Sequence, residues 1–461
     1  MTTRAMTRSS AAALASAESI SIETHDPTDF IESRSDDLLE KCRRFQQWLG
    51  DMRARGLFQR QYRVTIEGAL DHRIQVRTET GRRRELICFD SNSYLGLHLH
   101  PRVVDATRRA LDAVGYGTPS AQLLGGTNRY LRELEDTISG FFGREDTMIT
   151  PTGYAANVGA LTALLGRGDR AVCDRFSHAS IHDGCRFSNA RSVQRYRHLD
   201  VGHLDRILGS MSSGGRLVAT DGVFSMHGRI APLPELRRVA DRHGATLYLD
   251  DAHGLGVLGA TGRGVEEHWQ MQGAADVLMG TFSKAPGAVG GYVSGSRELV
   301  EYLRIYARSC MFTAALPAAL CAGLTEAIRV IDEEPEHRER LWRNCRRLWL
   351  GLRQSGLCVP ELESAIVPVF LGHEALLWQV SSELFDAGFK CGNVTYPAVP
   401  RGEGIIRMSV SARHTRADID ALVEAMARLG SRHGLLGLTR QEVTDLGAQL
   451  GGTAASGSRV A

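Results

Sequence analysis

The stretch ATLYLDDAHGLG, residues 245–256, decides the fold. Five largely apolar residues run into Asp250, Asp251, Ala252 and His253, and a Gly-rich turn follows. This is the signature of a buried strand that ends at a polar site. About thirty residues on, ADVLMGTFSK (275–284) repeats the form and ends at Lys284. Working outward, DTMIT, RAVCD, RLVATDGVF and GGYVSG read as further short strands, separated by helix-length segments such as YLRELEDTISGFF. Strands alternating with helices predict an α/β protein with a mainly parallel central sheet flanked by helices. In such sheets the ligand residues follow the carboxyl ends of strands.

The composition frames the chemistry. Among 461 residues, 55 Lys plus Arg face 53 Asp plus Glu, giving +2. That balance excludes a chain built around a nucleic-acid backbone. No apolar run reaches the length that crosses a bilayer. Only three of the basic residues are lysine: Lys41, Lys284 and Lys390. Lysine alone among strong bases loses its proton near neutral pH and attacks a carbonyl. A carboxylate (Asp250) and a lysine (Lys284) at neighbouring strand ends therefore point to pyridoxal 5'-phosphate (PLP). That cofactor needs an amine for its Schiff base and an acid on its ring nitrogen.

Other strand ends add candidates. In TPTGYAANVGAL (150–161), Thr152, Gly153 and Tyr154 open a helix, where free N–H groups and the helix dipole favour a phosphate. His178 follows RAVCD, placed to cover a ring or to cap the next helix, and Asp221 and Ser225 sit in VATDGVFSMHG. Arg407 interrupts the apolar strand GIIRMSVS, so it requires an anionic partner: a substrate carboxylate, or a structural Asp or Glu. The nine cysteines show no CxxC or CxxH spacing, which reads as reduced thiols of a cytoplasmic protein without a metal site.

The organisation follows. Residues 1–35 are expected to be a flexible arm, and 36–100 to join the small domain. A large PLP-binding domain is expected over 101–340, a smaller α+β domain over 341–438 and a flexible tail over 439–461.

These segments together resemble the α-oxoamine synthases, fold-type-I PLP-dependent transferases. The resemblance runs from about Gly56 to Gly430. It rests on FDSNSYLGL (89–97), SHASIHDGCR (177–186), DGVFSMHGRIAPL (221–233), LDDAHGLGVLGATGRG (249–264), GTFSKAPGAVGGY (280–292) and IIRMSVSARHT (405–415). The wording is nearest to bacterial serine palmitoyltransferase-like members. It implies condensation of an α-amino acid with an acyl thioester, carried by CoA or acyl carrier protein, to give an α-amino ketone and CO2. It implies that Lys284 holds the cofactor and moves the proton, that Asp250 meets the ring nitrogen and that His178 stacks on the ring. His253 and Ser225 would bond the ring hydroxyl, and Thr152, Gly153, Tyr154 and Thr281 would hold the phosphate. Asn92 and Arg407 would contact the amino acid. The family's homodimer would share its active sites, with Thr313 reaching the partner's phosphate.

Three positions depart from the family pattern: Gln122 stands near where an arginine is usual, His227 replaces an acidic residue, and Tyr396 replaces a proline. Gln122 keeps open an aldolase or aminotransferase reaction on the same cofactor. An inactive partner subunit is the third reading, and the retained Lys284 argues against it.

Overall fold

The computed structural model describes residues 20–22, 25, 27–31, 35–58, 64–396 and 398–452. Among them, thirteen strands form two sheets. The first three are β1 (Thr65–Ile66), β2 (Arg73–Arg77) and β3 (Arg83–Phe89). The next seven are β4 (Asp146–Thr150), β5 (Arg170–Asp174), β6 (Ser192–Tyr196), β7 (Arg216–Asp221), β8 (Thr246–Asp250), β9 (Val277–Thr281) and β10 (Gly291–Gly295). The last three are β11 (Ile366–Gly372), β12 (Phe389–Val394) and β13 (Gly404–Ser409).

The seven middle strands form one sheet in the order β4-β10-β9-β8-β7-β5-β6. Every pairing is parallel except the two made by β10, which runs antiparallel to both β4 and β9. This is the mainly parallel central sheet expected from the alternation of strands and helices. Strands β5, β9 and β10 are buried at every residue, as expected where helices cover both faces of a sheet. In β8, Leu247 and Leu249 enter the main core while Tyr248 enters a second core on the opposite face. Each such side chain taken from water contributes about 1.5–3 kcal/mol before entropy is counted. The same alternation sends Asp250 and Asp251 to opposite sides. Asp251 Oδ2 accepts from Val265 N at 2.8 Å and fastens the Gly-rich turn, which leaves Asp250 for the site.

Two strands escape the apolar-run reading. β6 (SVQRY) is a sheet edge with three of its five residues exposed, so it carries no continuous apolar signal. β12 (FKCGNV) alternates burial and includes Lys390 and Gly392.

The second sheet runs β1-β2-β3-β12-β13-β11, so the strands before residue 100 pair with those of the C-terminal part. The join is the parallel pair β3–β12, with Ile87 opposite Phe389. The expected boundary at 340/341 falls inside one helix, Glu336–Gln354. Its buried stripe of Leu341, Cys345, Leu348 and Leu352 is continuous, so the helix does not break there.

Both expected flexible ends carry structure. Within the 1–35 arm, Phe30 is buried with Trp48 and Met52, and Ile20 and Ile22 pack against that cluster; residues 1–19 lie outside the described residues. Within the 439–461 tail, Arg440–Gly452 is a helix whose Val443 is buried in the main core, and residues 453–461 lie outside the described residues. In both segments a few apolar residues among polar ones are enough to anchor the chain.

Candidate active site

The carboxyl ends of the parallel strands open onto one cavity of about 280 Å³. Lys284, Asp250, His253, His178, Thr152, Gly153, Tyr154 and Thr281, eight of the residues expected from the sequence, line it together.

Its floor is Asp250, only 4% exposed. Oδ2 accepts from Asn157 Nδ2 at 2.7 Å and Oδ1 from Ala252 N at 3.1 Å. Asn157 is itself held, accepting from Tyr248 OH at 2.8 Å and donating to Ser180 Oγ at 2.8 Å. Burial pushes the Asp250 carboxyl upward, against the pull of Asn157 and the nearby histidine and lysine charges. No salt bridge relieves it among the described residues. A buried acid in this state suits a cationic partner, which a protonated pyridine nitrogen supplies.

Lys284 follows β9 by three residues and is half-buried; its carbonyl accepts from Gly287 N at 3.0 Å, while its amine has no hydrogen bond or ion pair among the described residues. Burial first, then the Arg407 charge, draws its amine down to about 8, with Asp250 opposing. Lys390, by contrast, is paired with Asp90 at 2.6 Å.

His178 caps the helix Ala179–Phe187, with Nδ1 accepting from Ser180 N at 3.3 Å and lying 2.7 Å from Ser180 Oγ. Its backbone N–H donates to Asp221 Oδ2 at 3.0 Å, which fixes the ring from both ends. Asp221 is the register partner of Asp250 on β7, and burial beside that acid raises it well above the usual carboxylate range. His253 Nδ1 lies 2.7 Å from Tyr94 OH. Burial, with the Lys284 and Arg407 charges behind it, keeps His253 neutral.

At the opposite wall, Thr152 caps the helix Gly153–Leu164, its Oγ1 accepting from Ala155 N at 3.0 Å. The first-turn N–H groups are the intrahelical orphans that bind anions. A Cβ on Gly153 would lie 2.7 Å from Thr281 Cβ and 2.8 Å from its Oγ1, so only glycine lets the two segments close. Thr281 Oγ1 donates to Gly290 O at 2.8 Å. An acid lacking a cation, a neutralisable amine and a glycine-built anion cradle within one cavity fit PLP.

The substrate candidates lie beside this cavity. Arg407 on β13 is 8% exposed, yet it has no acidic partner among the described residues. Its Nε donates to Ser225 O at 2.5 Å, Nη1 to Ser409 Oγ at 2.7 Å and Nη2 to Asn92 Oδ1 at 3.2 Å. A structural Asp or Glu is thereby set aside. Ser225 meets Arg407 through its carbonyl. Thr313 stands apart on this chain: it is exposed and its Oγ1 donates to Ser309 O at 2.8 Å. Gln122 is committed to the fold, its Nε2 donating to Ile149 O at 2.7 Å.

Asn157, Ser180 and Tyr94 were not singled out from the sequence. Asn157 lies four residues after Gly153 and so on the same helix face, a spacing that could have revealed it.

The model for aminotransferase class I and II matches residues 84–426. An 8-amino-7-oxononanoate synthase from Methylococcus capsulatus is 42% identical over 381 residues, 82% of this chain and 96% of that protein. The chain belongs to the α-oxoamine synthases. Another relative, the 4-hydroxy-2,2'-bipyrrole-5-methanol synthase PigH of Serratia sp., is 37% identical over 87% of this chain, which spans 62% of PigH's length. Serine palmitoyltransferase of Sphingomonas wittichii superposes with a TM-score of 0.82 at 34% identity, covering 87% of this chain and all of that one. The S. paucimobilis enzyme, solved with a bound PLP–myriocin aldimine, matches equally, with a TM-score of 0.82 at 34% identity. As an α-oxoamine synthase this chain is a PLP-dependent acyltransferase that catalyses decarboxylative condensation in biosynthesis. The aldolase, aminotransferase and inactive-subunit readings give way to that.

Proposed function

We propose that this synthase joins a free α-amino acid to an acyl thioester of CoA or a carrier protein, with Arg407 as the carboxylate anchor. The observation that carries this is the nearly buried Arg407 guanidinium, unpaired with any described acid, beside Lys284 and His253. When bound, PLP draws electron density away from the amino-acid Cα. Lys284 Nζ, already close to neutral, takes the Cα proton. Arg407 and Asn92 hold the carboxylate so that its bond to Cα is oriented for cleavage, and His178 fixes the plane against which that orientation is set. A new bond joins Cα to the acyl carbon as the thiolate leaves and takes a proton from water; the carboxylate departs as CO2, and Lys284 returns its proton to Cα.

The active unit is a cytoplasmic homodimer in this reading. Tyr116, Leu124 and Phe312 are exposed large hydrophobics on two segments tied together by Ala315 N donating to Ser120 O at 2.8 Å. Apolar surface of this kind marks an interface, and the same patch carries Thr313 toward a partner's cavity. No helix among the described residues is long and apolar enough to cross a membrane. The test is a titration of PLP-loaded enzyme with each standard amino acid, followed by visible absorption. One amino acid shifting the band saturably, and losing that effect in Arg407→Ala, supports the reading. A shift that survives Arg407→Ala unchanged opposes it.

A further inference from the structure

A second cavity of about 300 Å³ shares none of its lining residues with the cofactor cavity. It lies between the large sheet's loops and the second sheet, and includes His227, one of the departures from the family pattern. Phe176, Val359, Pro368, Phe370 and Ile405 form apolar walls. The volume is at the small end of ligand pockets, about 300–1,000 Å³.

Its polar groups are few and of one kind. His198 Nδ1 lies 2.9 Å from Asp174 Oδ1, and that buried carboxylate also accepts from Phe176 N at 2.8 Å and Leu199 N at 2.9 Å. Nδ1 therefore carries the proton, while His198 Nε2 is buried without a partner. Arg229 Nε pairs with Glu363 Oε1 at 2.6 Å, leaving its terminal nitrogens without described bonds. Arg440 pairs with Glu403 and lies over the Phe370 ring, 4.8 Å from its centroid. Burial first, then the neighbouring basic side chains, Arg440 and Arg229 among them, draws His227 down to about 4. His227 stacks on Phe176 with ring centroids 5.6 Å apart and so serves as wall.

We propose that this cavity is a second binding site, for a free aliphatic carboxylate. Its chain lies against Phe176, Phe370 and Ile405; the carboxyl group enters with one proton, which bridges one of its oxygens to the His198 Nε2 lone pair, and the Arg229 fork meets the other oxygen. An apolar body with a single planar carboxyl group satisfies both halves of the lining, since the guanidinium fork matches a carboxylate. The site touches the catalytic machinery through two short links. Ile405 lies two residues from Arg407 on the same face of β13, and His227 lies two residues after Ser225, whose carbonyl holds Arg407.

Calorimetric titration of the PLP-loaded enzyme with sodium octanoate tests the assignment. One equivalent per chain is expected, weakened at least tenfold by Val359→Trp, which fills the cavity, and by Arg229→Gln. Both variants should keep the visible cofactor band, and Arg440→Gln replaces either one that does not. 1-Octanol should bind at least tenfold more weakly than octanoate. No saturable heat in the wild type, folded variants that bind like the wild type, or octanol binding as tightly as octanoate overturns the proposal.

Discussion

Asn157 Nδ2 donates to Asp250 Oδ2 at 2.7 Å, and this one bond ties the helix after β4 to the end of β8 beneath the cofactor cavity. The acid at the floor is thus held by an amide that is itself held by Tyr248 and Ser180. Asn157→Leu leaves the carboxylate and the Tyr248 hydroxyl short of partners, at about 1–3 kcal/mol for each orphaned group. Cofactor affinity should fall roughly tenfold or more, read by equilibrium dialysis of PLP. Unchanged affinity would show that the Asp250 orientation does not depend on this bridge.

Arg407→Ala should weaken amino-acid binding by roughly two orders of magnitude, the worth of a charge-assisted bond in a buried site. PLP affinity should change by no more than about threefold, since the cofactor cavity is lined without Arg407. Paired measurements of amino-acid KM and PLP Kd check this, and equal losses in both would make Arg407 a structural residue.

In cofactor-free protein the Lys284 amine should react with an aldehyde along a titration centred near pH 8. The sign follows from burial, which disfavours the charged form, so the reactive neutral amine gains as pH rises through 8. At that pH about half the Lys284 amines are free, against roughly one in 300 for an ordinary lysine. The rate of PLP uptake between pH 6 and 10, compared in wild type and Asp250→Asn, reads it. Losing Asp250 removes the charge that props the amine up, so the midpoint should move lower still.

Gly153→Ala places a methyl 2.7 Å from Thr281 Cβ, closer than side chains approach. The helix start must shift away from Thr281, and PLP binding should weaken by at least about tenfold with the far-ultraviolet circular dichroism unchanged. Thr281→Gly in the same chain should restore part of the affinity, because it removes the atoms the methyl strikes.

Phe30→Ala should destabilise the chain by about 3 kcal/mol, the usual cost of emptying a buried aromatic site. The ring lies 5.6 Å from Phe45 and 6.4 Å from Trp48, centroid to centroid. Urea denaturation measures it. A change within about 0.5 kcal/mol would return this segment to the flexible arm expected from composition.

The parallel sheet and its ligand end were legible because β8 and β9 are short apolar runs that stop at Asp250 and three residues before Lys284. Strand chemistry of that kind is local, and sequence shows it. β6 was not legible, since an edge strand with exposed residues has no such run. Asn157 was hidden for another reason: its role comes from contacts with Tyr248 and Asp250, more than ninety residues away. Asp250 and Asp251 are equivalent as letters, and only the strand's alternation separates the cofactor's acid from the one that secures a turn. The anchoring of Phe30 and Val443 rests on single apolar residues in polar surroundings, which composition averages away.

The most direct test of the central claim is release of labelled CO2 from a carboxyl-labelled amino acid by the PLP-loaded enzyme, with and without an acyl thioester. The amino acid is the one that shifts the absorption band. Decarboxylative condensation predicts CO2, free thiol and α-amino ketone in equal amounts, all dependent on the thioester and all lost in Lys284→Ala. Formation of a keto acid with no thioester present and no CO2 released would contradict it.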